Sequence, residues 1–355
     1  MGKVLLFSTQ MLNTGGIESH VIEFCRKMSG AGHSIDLIVP KCKLDDSNFK
    51  NLKRSCSKLY LFNQNHSWFD VLQSLFLPIR LMFNSYDSLY TNGQGKTIFW
   101  VSKLFRYKKF VHHHHTSGDE FDQKTWPKSY IKAMQNADEV VACSFINAER
   151  ISKKIKRPVI SVPVFSRKLY VSEFVNKHKD SKIHFGYYGR LIPEKGVDLI
   201  CKLSEDEDCK QICFHLWGTG QHYTVEYFKK YPNLVYHGSF NSKDELQIIV
   251  SVLDGYILLS RHHEGLPVSI LEVMSAGLPW LSTNKGGIPD LFIDPKSTRL
   301  IGSNASYNEF KEAVIQFSSD CRNKLINKEG LIKMYAEKYS SDIITSKWES
   351  LLNLN

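Results

Sequence analysis

The chain has 355 residues, 42% of them hydrophobic and 23% charged, with a formal net charge of +10. That length exceeds the usual single core and predicts two domains, while the ordinary apolar content excludes disordered and collagen-like classes. The basic balance leaves nucleic acid, an anionic membrane or a phosphorylated substrate open.

In chain order, the apolar run behind Met1 is short and lacks a small-residue cleavage site, so no secretory leader is expected and the protein is placed in the cytoplasm. Eight scattered cysteines without a CxxC pair fit reduced thiols there. "KVLLFST" reads as a strand running into "NTGG", and "GIESHVIEFCRKMSGAGH" as a helix closed by Gly30 and Gly32. "SIDLIVP" follows as a second strand, and this order opens a parallel doubly wound sheet. Trp68–Phe83 is apolar but interrupted by Asp70, Gln73, Pro78 and Arg80, which predicts a core helix and no membrane span. Further strands are expected at "SLYT" (88–91), "KFVHH" (109–113), "EVVACS" (139–144) and "PVISVPV" (158–164). Within His112–His115, strand alternation places His112 and His114 on one side and His113 and His115 on the other, so the four cannot converge on one ion. "YTNGQGKT" ends like a phosphate-binding P-loop, but Tyr90 stands where its first glycine is required. Neither a dinucleotide fingerprint after the first strand nor a nucleic-acid module is found.

After the polar "VNKHKDSK" the pattern restarts: "IHFGYYGRL" is a strand running into Gly189, with a new helix near Gly196. "ICFHLWGTG", "LVYHGSF", "GYILLS" and "PWLST" continue the strands. The expected domains are 1–175 and 180–340, with the amphipathic tail 341–355 packing back on the first. Ligands of such sheets bind at the carboxyl ends of the strands, in a cleft where two domains face each other. There "RHHEGLPVSILEVMSAGLPWLST" sets Glu264 in a loop and Glu272 on the following helix, with Gly265, Leu266, Pro267 and Val268 leading to unpaired helix amides. Two acids beside bare amides suit a polyhydroxyl substrate with an anionic end, such as a nucleotide sugar.

The E-x7-E pattern, with "GLP" after the first acid and "SAGLP" after the second, resembles the retaining family 4 glycosyltransferases of GT-B fold: two Rossmann-like α/β domains facing a cleft. "YYGRLIPEKGVDLI" resembles that family's phosphate loop, "LWGTGQ" its short glycine turn, and "VYHGSF" its loop near the base. "NKGGIPDLF" resembles the segment after the second acid, and "TGGIESHV" the first glycine loop. The resemblance implies that Glu264 lies under the donor sugar, that Glu272 accepts from the ribose hydroxyls, and that Arg190 and Lys195 neutralise the diphosphate. Gly16 would admit the diphosphate from the first domain, beside Gly189, with Gly218 and Gly238 near the base. A histidine near the reacting sugar falls on His114, with His115 next. Two departures touch loop geometry: "VPVFSRK" replaces a frequent Asn-Gly turn, and Leu259 a frequent proline.

The implied activity is metal-independent hexosyl transfer without a cofactor, from a nucleotide sugar to a saccharide acceptor, including one carried on a lipid diphosphate, in assembly of O-antigen, lipopolysaccharide or capsule. Between Val101 and Tyr170 fourteen Lys and Arg stand against six Asp and Glu, among them Arg106, Lys108, Lys109, Lys153, Lys154, Lys156 and Arg157. That surplus suits peripheral attachment to an anionic inner-membrane surface. The alternatives are another nucleotide-sugar enzyme of this fold, an epimerase or hydrolase, and a non-catalytic binder of anionic saccharides.

Overall fold

The computed structural model describes all residues except 13–14, 64–80, 82, 173–177, 241–242 and 355. The core helix expected over Trp68–Phe83 lies, apart from Leu81 and Phe83, outside the described residues. The chain divides into two compact units, Met1–Phe165 together with Ser341–Asn355, and Ser166–Ser340. Each holds one sheet, and among the described residues every strand pair is parallel.

The first unit contains β1 (Lys3–Ser8), β2 (Met11–Leu12), β3 (Ser34–Lys43), β4 (Lys58–Asn63), β5 (Ser85–Asn92), β6 (Arg106–His114), β7 (Glu139–Ala142) and β8 (Ile160–Ser161). Their order is β2-β3-β1-β5-β6-β7-β8, with β4 also on β3. β1 serves two cores: Val4 and Leu6 pack with Val21, Phe24 and Trp348, whereas Leu5 and Phe7 pack with Ile98, Met134 and Ile151. A strand covered on both faces reads as a continuous apolar run, which is why "KVLLF" shows no alternation. The helix Gly16–Gly30 buries His20, Val21, Phe24, Cys25 and Met28, one helical stripe. The C-terminal helix Ser341–Leu351 contributes Ile344 and Trp348 to the same core. Only Ile160–Ser161 of the expected strand 158–164 pairs with β7. Pro158 and Pro163 flank it and have no amide hydrogen to donate to a ladder.

The second unit contains β9 (Ile183–Tyr188), β10 (Ile212–Trp217), β11 (Leu234–Tyr236), β12 (Gly255–Leu258), β13 (Trp280–Thr283) and β14 (Thr298–Ile301), in the order β11-β10-β9-β12-β13-β14. β10 and β12 lie on opposite sides of β9, so the strand order reverses there. The carboxyl ends of β9 and β12 therefore flank a topological switch point, where sheets of this type bind ligands. No helix among the described residues is long and apolar enough to cross a membrane.

Candidate functional site

At the switch point β9 ends in Tyr188 and the chain turns through Gly189 into a short helical turn, Pro193–Lys195, before the helix Val197–Ser204. β12 leads into Ser260 and the Glu264 loop, and the helix Val268–Ser275 opens at Val268 with Pro267 before it and no side-chain cap. Gly265 is half-buried and Leu266 buried.

Lys195 joins the two loops. Its Nζ donates to Glu264 Oε1 at 2.5 Å, with side-chain exposures of 17% and 9%. Ser260 Oγ donates to the same oxygen at 2.6 Å. Burial pushes the Glu264 carboxyl up, but the charge and hydrogen bond of Lys195, with the Ser260 bond, outweigh it and hold the group below its ordinary value. Glu264 is therefore a carboxylate at neutral pH. The "NKGG" segment supports it from behind: Gly287 N donates to Glu264 O at 3.0 Å. Gly286 sits at φ +56, where a Cβ would run into the Glu264 backbone.

Arg190 is exposed, and its guanidinium has no hydrogen-bonding or ionic partner among the described residues. Gly189, Gly218 and Gly238 close the carboxyl ends of β9, β10 and β11 backbone to backbone. Gly218 N donates to Gly238 O at 2.7 Å, and a Cβ on Gly218, at φ +136, would strike the Gly189 carbonyl. The "WGTG" turn thus requires glycine for close approach.

Glu272 lies deeper, 1% exposed. Arg167 Nε donates to its Oε1 at 2.7 Å and Tyr188 OH to its Oε2 at 3.2 Å. Burial dominates and raises this carboxyl above its ordinary value despite Arg167 and Tyr188. The sequence placed Glu272 facing a ligand directly; the structure covers it with these two partners. Leu169 N, donating to Ser275 Oγ at 2.8 Å, ties the Arg167 segment to the same helix. Arg167, Tyr188 and Ser260 were not singled out in the sequence, and two of them meet Glu272 only across 105 and 84 residues.

In the first unit Gly16 begins the helix Gly16–Gly30, behind an extended Gly15 without a side-chain cap. The histidine run alternates as expected: His112 and His114 both lie 2.8 Å from the Tyr130 hydroxyl, while His113 lies 3.0 Å from Tyr90 OH. His114, the first choice for the reacting sugar, is a poor fit. It is 0% exposed, with Nδ1 on Tyr130 and Nε2 at 2.8 Å from Asp122 Oδ2, so both ring nitrogens are engaged. His115 is 8% exposed; its Nδ1 lies 3.6 Å from Cys143 Sγ and its buried Nε2 has no partner. Burial, followed by the neighbouring His20, His114 and His112, holds His115 well below the usual imidazole range, so it is neutral.

The basic surplus is partly structural. Arg157 donates to the carbonyls of Met134, Gln135, Ala137 and Asp138, Lys108 pairs with Asp87 at 2.7 Å, and Lys109 lies 3.9 Å from Glu139. Arg106, Lys153, Lys154 and Lys156 are exposed. Arg106 begins β6 and His114 ends it, so this charge does not gather at the histidine end of the strand.

The model of the group 1 glycosyl transferases matches residues 171–330, and that of glycosyltransferase Family 4 matches residues 14–163. An uncharacterised glycosyltransferase of Methanocaldococcus jannaschii is 25% identical over 224 residues, 61% of this chain and 58% of that protein. The poly(ribitol-phosphate) alpha-N-acetylglucosaminyltransferase of Staphylococcus aureus is 25% identical over 211 residues, 52% of this chain and 39% of its own. The chain thus spans less than two thirds of the length of these relatives. The crystal structure of Anabaena HepE with UDP and glucose aligns over 100% of both chains at a TM-score of 0.74 and 15% identity, a likeness of GT-B fold.

Proposed function

We propose that this chain, whose halves match the Family 4 and group 1 glycosyltransferases in that order, moves a hexose from a nucleotide donor to a saccharide hydroxyl with retention at the anomeric carbon. The Lys195–Glu264 pair carries the reading, because it couples the loop assigned to the diphosphate to the loop assigned to the donor sugar.

In this mechanism the bond from the anomeric carbon to the diphosphate oxygen breaks first. Arg190 and Lys195 meet the charge gathering on the departing nucleoside diphosphate, where fixed cations contribute most. Glu264, ionised, holds sugar hydroxyls and offsets the positive charge left on the ring. The acceptor oxygen then bonds to that carbon from the same face, and its proton passes to the departing phosphate. Neutral His115 takes the place near the sugar first given to His114. Glu272 meets the ribose when Arg167 and Tyr188 yield to it, and Gly16, Gly189, Gly218 and Gly238 allow close backbone approach. Neither a metal nor a cofactor is needed for these steps.

The HepE structure with UDP and glucose supports a uridine diphosphate hexose as donor class. The relative named for poly(ribitol-phosphate) supports an anionic polymer acceptor, in keeping with O-antigen or capsule assembly at an anionic membrane. The test is release of nucleoside diphosphate from a panel of nucleotide sugars in the presence of chelator, with the product's anomeric configuration read by NMR. Turnover with unchanged configuration is expected. An inverted product rejects retention, loss of activity restored by a divalent ion rejects metal independence, and tight binding without turnover rejects catalysis.

A further inference from the structure

The second unit carries a row of histidines that glycosyl transfer does not use. β9 and β10 are adjacent and parallel, with Cys213 beside His184 and His215 beside Gly186, so His184 and His215 stand on one face of the sheet, diagonal neighbours. His184 Nδ1 and His215 Nε2 face each other at 2.9 Å. The outer nitrogens are engaged as well: His184 Nε2 lies 2.8 Å from Asp180 Oδ1, and His215 Nδ1 lies 2.9 Å from His237 Nε2. His178, exposed, stacks on His184 with ring centroids 3.6 Å apart at 11°. One ligand atom from each of His178, His184 and His215 lies within 4.8 Å of the others.

We propose that His178, His184 and His215 form a binding site for a divalent transition metal, distinct from the nucleotide-sugar site. Histidines that ligate metals give their second N–H to a carboxylate or another acceptor, which fixes ring orientation and aims the free lone pair. Here Asp180 fills that role for His184, and His237 for His215. As the ion enters, the proton held between the rings shifts from His215 Nε2 to its Nδ1, which then donates to His237 Nε2 while His237 carries its own proton on Nδ1; both inner lone pairs of His184 and His215 then point at one spot and no net proton is lost. Tetrahedral coordination with metal–nitrogen bonds near 2.0–2.1 Å needs the inner nitrogens about 3.3 Å apart, a small opening from the present spacing. His178 turns from its stacked position to supply the third nitrogen, and its exposure provides the way in. Three imidazoles and a water suit zinc, copper or nickel better than calcium or magnesium. The ion would clip the segment at His178 to the sheet. His184 lies near the start of β9 and Gly189 follows its end, about 16 Å along the strand, so the ion would sit away from the sugar. The other group of close histidines, His20, His113 and His115, is less suited, because the ring nitrogens of His20 and His113 are bonded to Tyr90, Cys143 and the Phe165 amide, whereas His184 Nδ1 and His215 Nε2 are bonded to each other.

Calorimetric titration of the full chain with zinc chloride tests this, with thermal unfolding as a second readout. One zinc per chain is expected, together with a zinc-dependent rise in the midpoint of unfolding. Because His178 is exposed, His178→Ala will fold, and it should weaken binding at least about tenfold; Asp180→Asn should weaken it about ten- to a hundredfold. His215→Gln should abolish it. No saturable binding would overturn the proposal, and so would unchanged affinity in His178→Ala and His184→Gln.

Discussion

Replacing Lys195 by Met should unmask the cost of burying Glu264. In the native protein the carboxylate, 9% exposed, accepts from Lys195 Nζ at 2.5 Å and Ser260 Oγ at 2.6 Å. Met fills the space of the lysine stem but takes the ammonium away from the carboxylate, with Ser260 Oγ still donating to it. Removing one partner of a buried pair costs about 3–5 kcal/mol when both groups are fully enclosed. Lys195 keeps 17% exposure, which lets water screen the carboxylate and puts the loss near the lower bound, about 3 kcal/mol. At about 2–4 °C per kcal/mol for a domain of this size, the unfolding midpoint should fall by about 6–12 °C at neutral pH. The sign with pH follows from the two carboxyl values. In the native protein Glu264 sits below its ordinary value, so the pair's contribution is present above the unfolded value, about 4.3, and fades as pH falls through the lower folded one. In the variant burial raises the group, so the defect is largest near pH 7 and shrinks toward pH 4 as Glu264 takes up a proton. Calorimetric scans from pH 4 to 8 measure this directly. The double variant Lys195→Met with Glu264→Gln should recover most of the loss, since no buried charge remains. A loss under about 1 kcal/mol, or one that is constant across pH, would refute the buried-pair argument.

Arg190→Ala, at an exposed position, should leave the unfolding midpoint within about 2 °C yet lower turnover by roughly 10² or more, read by nucleoside diphosphate release; near-normal turnover would remove Arg190 from the phosphate site. His114→Ala should destabilise by about 2–3 kcal/mol because Asp122 and Tyr130 lose a buried partner, while His115→Ala, which empties buried space beside His20 and His113, should lose turnover beyond what its loss of stability explains when assayed well below its unfolding midpoint; near-normal turnover in folded His115→Ala would remove it from the site. Glu272 is raised by burial, so its charged form disfavours the folded state above the ordinary carboxyl value, and Glu272→Gln should cost less stability at pH 7 than at pH 4 while raising the donor KM at least about tenfold; an unchanged KM places Glu272 outside the site. Flotation with anionic vesicles at low salt, abolished by high salt or by reversing Lys153, Lys154 and Lys156 to Glu, is expected if the exposed basic residues meet a membrane; salt-resistant flotation would point to apolar insertion instead.

Local grammar made much of this molecule legible from residues alone. Strand, glycine turn and helix follow one another at Lys3–Gly30 and again at Ile183–Ser204 because each signal, an apolar run, a glycine, a helical stripe, lies within one short window. Glu264 and Glu272 were visible for the same reason, sharing a loop and the helix it opens. β4 and β14 were not read from the sequence, and the prolines of "PVISVPV" cut that strand to two residues. What faced each acid was decided only by tertiary structure. Arg167 reaches Glu272 over 105 residues, Lys195 reaches Glu264 over 69, and neither pairing leaves a periodic trace. The histidines make the point most sharply. Alternation alone separated His114 from His115, but which imidazole is saturated depends on Asp122 and Tyr130 arriving from neighbouring helices. The row from Asp180 to His237 exists because parallel register sets β9, β10 and β11 side by side, and register is a property of the assembled sheet, fixed by burial across strands that no single stretch of sequence contains.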